Sequence, residues 1–254
     1  MITDSFRGDL FFLREMLLND QPFALSRFGD GEYKIIQDEP IDLLVKQEFK
    51  YEGESYLRKE LIDSFTYNAP NYFIGIACAC CAGNELFNSM KELSRVPSQQ
   101  LTWANIFVNA NYEYFQKEFP KIFNRKEVSL VAPGHVENLG FKITKHYPVG
   151  PNAWIENASL YEEIKADIKS LTDENHIFLF CAGPFANILC HKYFKRFPMH
   201  TFLDIGSVFN IELGIGANRK YLKKKKTAKK MCHWDNVQEE NSRNFLRRLL
   251  PWAS

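Results

Sequence analysis

Two acidic residues two positions apart and interleaved with glycines, Gly29-Asp30-Gly31-Glu32, are the most chemically suggestive feature of this 254-residue chain. They follow Ser26-Arg27-Phe28, at the exit of a run over 22–28 that reads as a strand passing into a helix. Glycines there let the backbone turn tightly and approach a ligand closely. Carboxylates two apart point in different directions on a regular helix. In a turn they can converge, and Asp30 and Glu32 would then offer hard oxygen ligands to Mg²⁺ or Mn²⁺. Arg27 adds a planar fork suited to phosphate. A plainer reading stands beside this one: Asp30 caps a helix, Glu32 favours its dipole, and Arg27 pairs with one of them.

Two further stretches have the same character. Phe180-Cys181-Ala182-Gly183-Pro184 is a second strand-to-helix junction. Gly183 clears space there, Pro184 suits a first helical turn, and the helix start presents unpaired N–H groups to an anion. Phe202-Leu203-Asp204-Ile205-Gly206-Ser207 puts Asp204 at a strand end, where it can bind a sugar or ribose hydroxyl, act as a base, or simply shape a turn. Farther on, Arg219 can reach a diphosphate, and Tyr221 can stack or pack.

The elements that must hold these residues alternate. Apolar spacing predicts helices over 4–19, 54–66, 84–93, 156–171 and 185–196, with Asn84 as an N-cap, and a further helix ending near Pro120. Short apolar runs predict strands over 71–77, 102–108, 127–131, 142–149, 176–181 and 201–205. Continuous apolar strands between helices predict an α/β, Rossmann-like fold, a mostly parallel sheet with helices on both faces. Ligands of such sheets bind at the carboxyl ends of the strands.

Composition narrows the classes. Hydrophobic residues at 45% and charged residues at 25% suit a water-soluble α/β protein. The opening residues mix acids and bases and lack the apolar core of a signal peptide. No run approaches the roughly 18 apolar residues of a spanning helix. The six cysteines then read as reduced thiols of a cytoplasmic protein. Three of them, in Cys78-Ala79-Cys80-Cys81, lack the separated pairs of a structural zinc site and read as small buried residues. His191 reads as structural. Residues 219–230 carry one Arg, seven Lys and no acid, so the remainder is net acidic. With Arg243, Arg247 and Arg248 set among Phe245, Leu246, Leu249 and Trp252, this divides the chain into a main domain, 1–222, and a basic extension, 223–254. The extension suits contact with an anionic surface on the inner face of the cell membrane. A nucleic-acid-binding reading of the lysine run is disfavoured by the acidic remainder and the absence of a nucleic-acid motif.

Taken in order, SRFGDGE, Asn152-Ala153-Trp154, FCAGP, FLDIGS and the Arg219/Tyr221 pair resemble the GT-D glycosyltransferases across roughly 23–221. The resemblance implies transfer of a sugar from a nucleotide-diphosphate donor, a UDP-sugar above all, to a glycan or lipid-linked glycan acceptor in polysaccharide or glycoconjugate synthesis. It implies Mn²⁺ or Mg²⁺ held through an Asp-x-Glu motif that falls on Asp30 and Glu32. It sets Arg27, Gly29, Gly31, Gly183, Ser207 and Arg219 around the donor, with Asp204 as a catalytic residue. One departure stands out: relatives carry Ser or Thr where this chain has Phe185, so a hydroxyl contact to phosphate is missing there. Glu156 and His135 join Asp204 as possible bases. Another nucleotide-dependent transferase on the same fold is the alternative.

Overall fold

The computed structural model describes residues 3, 5–44, 48–136, 138–172 and 174–223. The lysine run beyond 223, the basic amphipathic stretch near Leu249 and Cys232 lie outside them.

The first helix, α1 (Phe6–Leu18), starts where the Ser5 hydroxyl accepts the Gly8 N–H at 2.9 Å, and it buries Phe6, Leu10, Leu13 and Leu17. Strand β1 (Ala24–Arg27) leads directly into α2 (Asp30–Ile36). A small antiparallel hairpin, β2 (Ile41–Asp42) and β3 (Lys50–Tyr51), separates α2 from α3 (Ser55–Phe65). Then come β4 (Tyr72–Ile76), the short α4 (Ala79–Ala82), α5 (Asn84–Ser94) and β5 (Leu101–Trp103). The second half runs α6 (Tyr112–Phe123), β6 (Val128–Ala132), β7 (Lys145–Pro148), α7 (Ala153–Glu156) and α8 (Leu160–Ser170). It ends with β8 (Ile177–Phe180), α9 (Pro184–Arg196), β9 (Thr201–Asp204) and α10 (Lys220–Lys223).

Seven strands form one sheet in the order β5-β4-β1-β9-β8-β6-β7, and every pairing in it is parallel. The interior strands β4, β6, β8 and β9 are buried at every position, as expected of strands covered on both faces. The edge strand β7 buries only Tyr147. One apolar core joins the sheet to α2, α3, α5, α8 and α9, and a second joins its other face to α1, α6 and the turn after β9. The expected fold class is therefore the observed one.

Some boundaries differ from expectation: the helix expected over 156–171 starts at Leu160, the strand expected over 142–149 is Lys145–Pro148, and three further differences have a local cause. Residues after Trp103 turn away from the sheet, so the strand expected over 102–108 stops early. Gly83, not Asn84, is the N-cap of α5. Pro120 lies inside α6, which continues to Phe123. A proline in a helix interior costs about 3 kcal/mol. Here Phe115, Phe119, Ile122 and Phe123 are all buried on the same helix. Burial contributes about 1.5–3 kcal/mol for each such side chain, enough to carry the helix through.

Candidate active site

Sequence-distant turns meet at the carboxyl ends of β1, β8 and β9. They enclose a cleft of about 480 Å³ whose lining includes Arg27, Gly29, Asp30, Gly31, Glu32, Gly183, Asp204, Ser207 and Arg219. A buried polar network fixes the β1 and α9 walls. Asn187 of α9 donates to the Arg27 carbonyl (2.8 Å) and to the Ser26 hydroxyl (3.0 Å). Ser64 of α3 contacts Ser26 (3.3 Å) and donates to the Asn187 carbonyl (2.8 Å). Ser64 and Asn187 sit on otherwise apolar helix faces, and that misplaced polarity was the only sign of them in the sequence.

The helix α2 begins at Asp30 itself, so the Asp30/Glu32 pair occupies a first helical turn and not an irregular one. Glu32 reaches back and accepts the Gly29 N–H at 2.9 Å, which satisfies one of the unpaired donors of the helix start. Asp30 differs: it is exposed, and no hydrogen bond or ion pair holds its carboxylate among the described residues. Burial pushes the Glu32 carboxyl up to about 7, against hydrogen bonds from the Glu32 and Gly29 amides; the charges of Asp204 and Asp30 add to the rise. The site thus concentrates more negative charge than Arg27 alone balances. On that helical turn the two side chains do not converge as an irregular turn would make them, but both line the cleft, Asp30 with an open carboxylate and Glu32 with one oxygen engaged at Gly29, and carboxylate oxygens are the donors a hard divalent cation takes.

The raised Glu32 value carries a stability consequence. A carboxyl protonated more readily in the folded chain than in the unfolded one favours folding at low pH. That contribution is lost as pH rises from about 4.5 towards about 7. Glu32→Gln keeps an oxygen for the Gly29 N–H and removes the charge. Chemical denaturation of the metal-free chain at pH 4.5, 6 and 8 should show the variant gaining on the parent by on the order of 2 kcal/mol by pH 8. Parallel curves for the two proteins would reject the upward shift of the buried Glu32 carboxyl.

Arg27 and Asp204 turn out to be each other's partners. Arg27 Nη2 donates to Asp204 Oδ1 at 3.1 Å, Nε to the Asp204 carbonyl at 2.6 Å, and Nη1 to the Ala104 carbonyl at 2.9 Å. The Asp204 carboxylate also accepts the Arg27 N–H (3.2 Å) and the Gly206 N–H (2.9 Å). Burial raises the Asp204 pKa while Arg27 opposes the rise. Of the expected pairings of Arg27, neither Asp30 nor Glu32 is the one found.

The two glycines at helix starts serve a packing purpose. A Cβ on Gly31 would stand 2.9 Å from the Phe49 ring, and one on Gly183 would stand 3.1 Å from it. Phe49, buried just before β3, is wedged between them and closes the cleft from the hairpin side. Asn152, in a left-handed conformation at φ 60°, ties the hairpin down. Its Oδ1 accepts the Lys50 N–H (3.0 Å) and Trp154 Nε1–H (2.9 Å), and its own N–H donates to the Glu48 carbonyl (2.7 Å). This is what the Asn152-Ala153-Trp154 stretch does. Glu48 then meets Arg219 Nη2 at 2.8 Å across the cleft mouth. Glu48 and Phe49, which also line the cleft, belong to a hairpin whose two-residue strands carry no detectable alternation, and Lys34 lines it from α2.

The remaining expectations divide. Tyr221 packs on Tyr112 and hydrogen-bonds the Ser207 hydroxyl at 2.7 Å, so of the two expectations, stacking or packing, its contacts within the protein are those of packing. Phe185 is core, so no hydroxyl faces the cleft there. Glu156 and His135 are exposed, and neither is among the lining residues. His191, on α9, packs against Tyr67, with burial lowering its pKa to about 4. The Cys78, Cys80 and Cys81 expectation needs correction: only Cys78 is buried, because the chain turns outward after β4 and carries Cys80 and Cys81 towards solvent. A second cleft of about 440 Å³ adjoins the first; it shares Arg27, Gly29, Asp30, Ser207 and Arg219 and adds Ala77, Cys78, Cys81, Leu86 and Tyr221.

A parallel α/β sheet with a polar cleft at its carboxyl edge defines a ligand-binding class that many transferases share. Comparison narrows it: two solved structures of domain of unknown function 1792, one described as having a distinct glycosyltransferase fold and one selenomethionine-substituted, share this architecture. Each gives a TM-score of 0.53 over 79% of both chains, at 14% and 12% identity respectively. The chain thus has a glycosyltransferase fold, as the GT-D resemblance implied. No family model matches the sequence, and no curated protein matches it. No helix among the described residues is long and apolar enough to cross a membrane.

Proposed function

We propose that this chain transfers a sugar from a nucleoside-diphosphate donor, a UDP-sugar foremost, to a glycan or lipid-linked glycan acceptor with the help of Mn²⁺ or Mg²⁺. One observation carries the reading. Residues drawn from SRFGDGE, FCAGP, FLDIGS and Arg219 line a single cleft at the carboxyl ends of the central strands of a glycosyltransferase fold.

Asp30 and Glu32 would hold the cation. When bound, such an ion neutralises charge that grows on the departing diphosphate. The protein's own groups supply the rest. Arg219 is half-exposed and, among the described residues, has Glu48 of the hairpin as its ion-pair partner, so an incoming diphosphate can take it over by ion exchange. Phe49 and the Asn152-held hairpin exclude water from one side of the cleft. Asp204 already accepts three hydrogen bonds, two of them from Arg27; we read it as the residue that positions Arg27, in place of the base first expected of it. The second cleft opens beside Asp30 and offers the acceptor a route to the same carboxylate. The basic extension, 223–254, would add attraction to an anionic lipid surface carrying that acceptor.

The test is a panel of nucleotide sugars with Mn²⁺ or Mg²⁺, scored for sugar release and thermal stabilisation. One donor should be hydrolysed slowly without acceptor and should raise the melting temperature only with metal present. Stabilisation by nucleotides without release of any sugar would favour another nucleotide-dependent transferase on this fold.

A further inference from the structure

We propose that Cys78, Cys80 and Cys81 form a second metal site, separate in chemistry from the carboxylate cleft, that takes a thiophilic d¹⁰ ion of the Zn²⁺ or Cu⁺ kind. The Sγ atoms of the three all lie within 4.8 Å of one another. Cys78 and Cys80 are 3.5 Å apart and Cys80 and Cys81 are 3.9 Å apart, sulfur to sulfur. Thiolates at about 2.3 Å from a tetrahedral zinc stand about 3.8 Å from each other. The thiols are thus near ligand spacing before any ion enters.

The surroundings agree with that use. Cys78 is buried at the end of β4, Cys80 is half-buried and Cys81 is exposed, so an ion can enter from solvent and still be held against the protein. The Asn105 side-chain amide points its nitrogen at Cys78 Sγ (3.7 Å) and Cys81 Sγ (3.9 Å). An N–H donor at the ligand atoms favours thiolate and orients it, as outer partners do in metal sites. Soft sulfur ligands select Zn²⁺ or Cu⁺ over Mg²⁺ and Mn²⁺, which the oxygens of Asp30 and Glu32 prefer. Three thiols release three protons on binding, and three protein ligands leave a fourth position for water or a ligand in the second cleft, whose wall includes both Cys81 and Asp30.

The reduced, metal-free full chain should be titrated with Cd²⁺ as a spectroscopic probe. Thiolate-to-metal charge-transfer absorption should saturate at one ion per chain with release of protons; Zn²⁺ should displace the probe and a large excess of Mg²⁺ should not. Cys80→Ser with Cys81→Ser should abolish the band, and Cys81→Ser alone, an exposed change that leaves folding intact, should weaken binding by at least about tenfold. A band that survives the double substitution, depends on Cys232, or yields to Mg²⁺ would overturn the site.

Discussion

Asp30→Ala is expected to reduce sugar transfer by at least about 10²–10³-fold while leaving the fold intact. Asp30 is exposed in the cleft and no protein donor holds it among the described residues, so its removal breaks no described contact. Exposed substitutions of this kind usually change stability by less than about 0.5 kcal/mol. Glu32 is a poorer first target, because Glu32→Ala also removes the acceptor for the Gly29 N–H and weakens the start of α2. Two readouts are needed. Initial rates with the preferred donor measure the chemical loss. The thermal shift produced by Mn²⁺ with a nucleoside diphosphate measures the cation-dependent complex, and in Asp30→Ala it should vanish. A variant that transfers sugar within about threefold of the parent, a change of only about 0.6 kcal/mol in the barrier, would remove the metal assignment and leave only the fold.

What could be read in advance, and what could not, follows from range. SRFGDGE, FCAGP and FLDIGS each end a strand, and in a parallel sheet all strand ends fall on one edge. Local patterning was therefore enough to bring Asp30, Gly183 and Asp204 to one place. Their contacts were a different matter. Asp204 is 177 residues from Arg27, and nothing in either local sequence distinguishes that pairing from one with Glu32. The hairpin was invisible because its strands are two residues long and its role depends on Asn152, a hundred residues later. Pro120 misled for the opposite reason: a strong local stop signal yielded to the burial of Phe119 and Phe123. The cysteine stretch was judged by spacing along the chain, whereas the tight turn after β4 decides the spacing of sulfur atoms.

The largest stability effect should come from the lock behind the cleft. Asp204→Ala leaves the Arg27 guanidinium, only 10% exposed, without its counter-ion. Breaking one side of a buried pair costs about 3–5 kcal/mol. For a chain of this size that is a fall of about 10 °C in melting temperature. Gly206→Ala should act on the same lock from the other side. Gly206 sits at φ +51°, and an added Cβ would lie 2.0 Å from Arg27 Nη2, so the guanidinium must move. Asp204→Asn is the discriminating change. It keeps the shape and one acceptor oxygen but opposes an amide donor to the Arg27 N–H. If Asp204 positions Arg27, Asp204→Asn should melt several degrees below the parent and keep measurable turnover that saturating donor partly restores. If Asp204 also takes a proton from the acceptor hydroxyl, the same variant should turn over no faster than Asp204→Ala, and saturating donor should restore nothing. The hydrogen bonds favour the first outcome: burial raises the Asp204 pKa, but the carboxylate is already held by Arg27 at two points and by Gly206, so an acceptor hydroxyl would have to displace one of those donors to reach it.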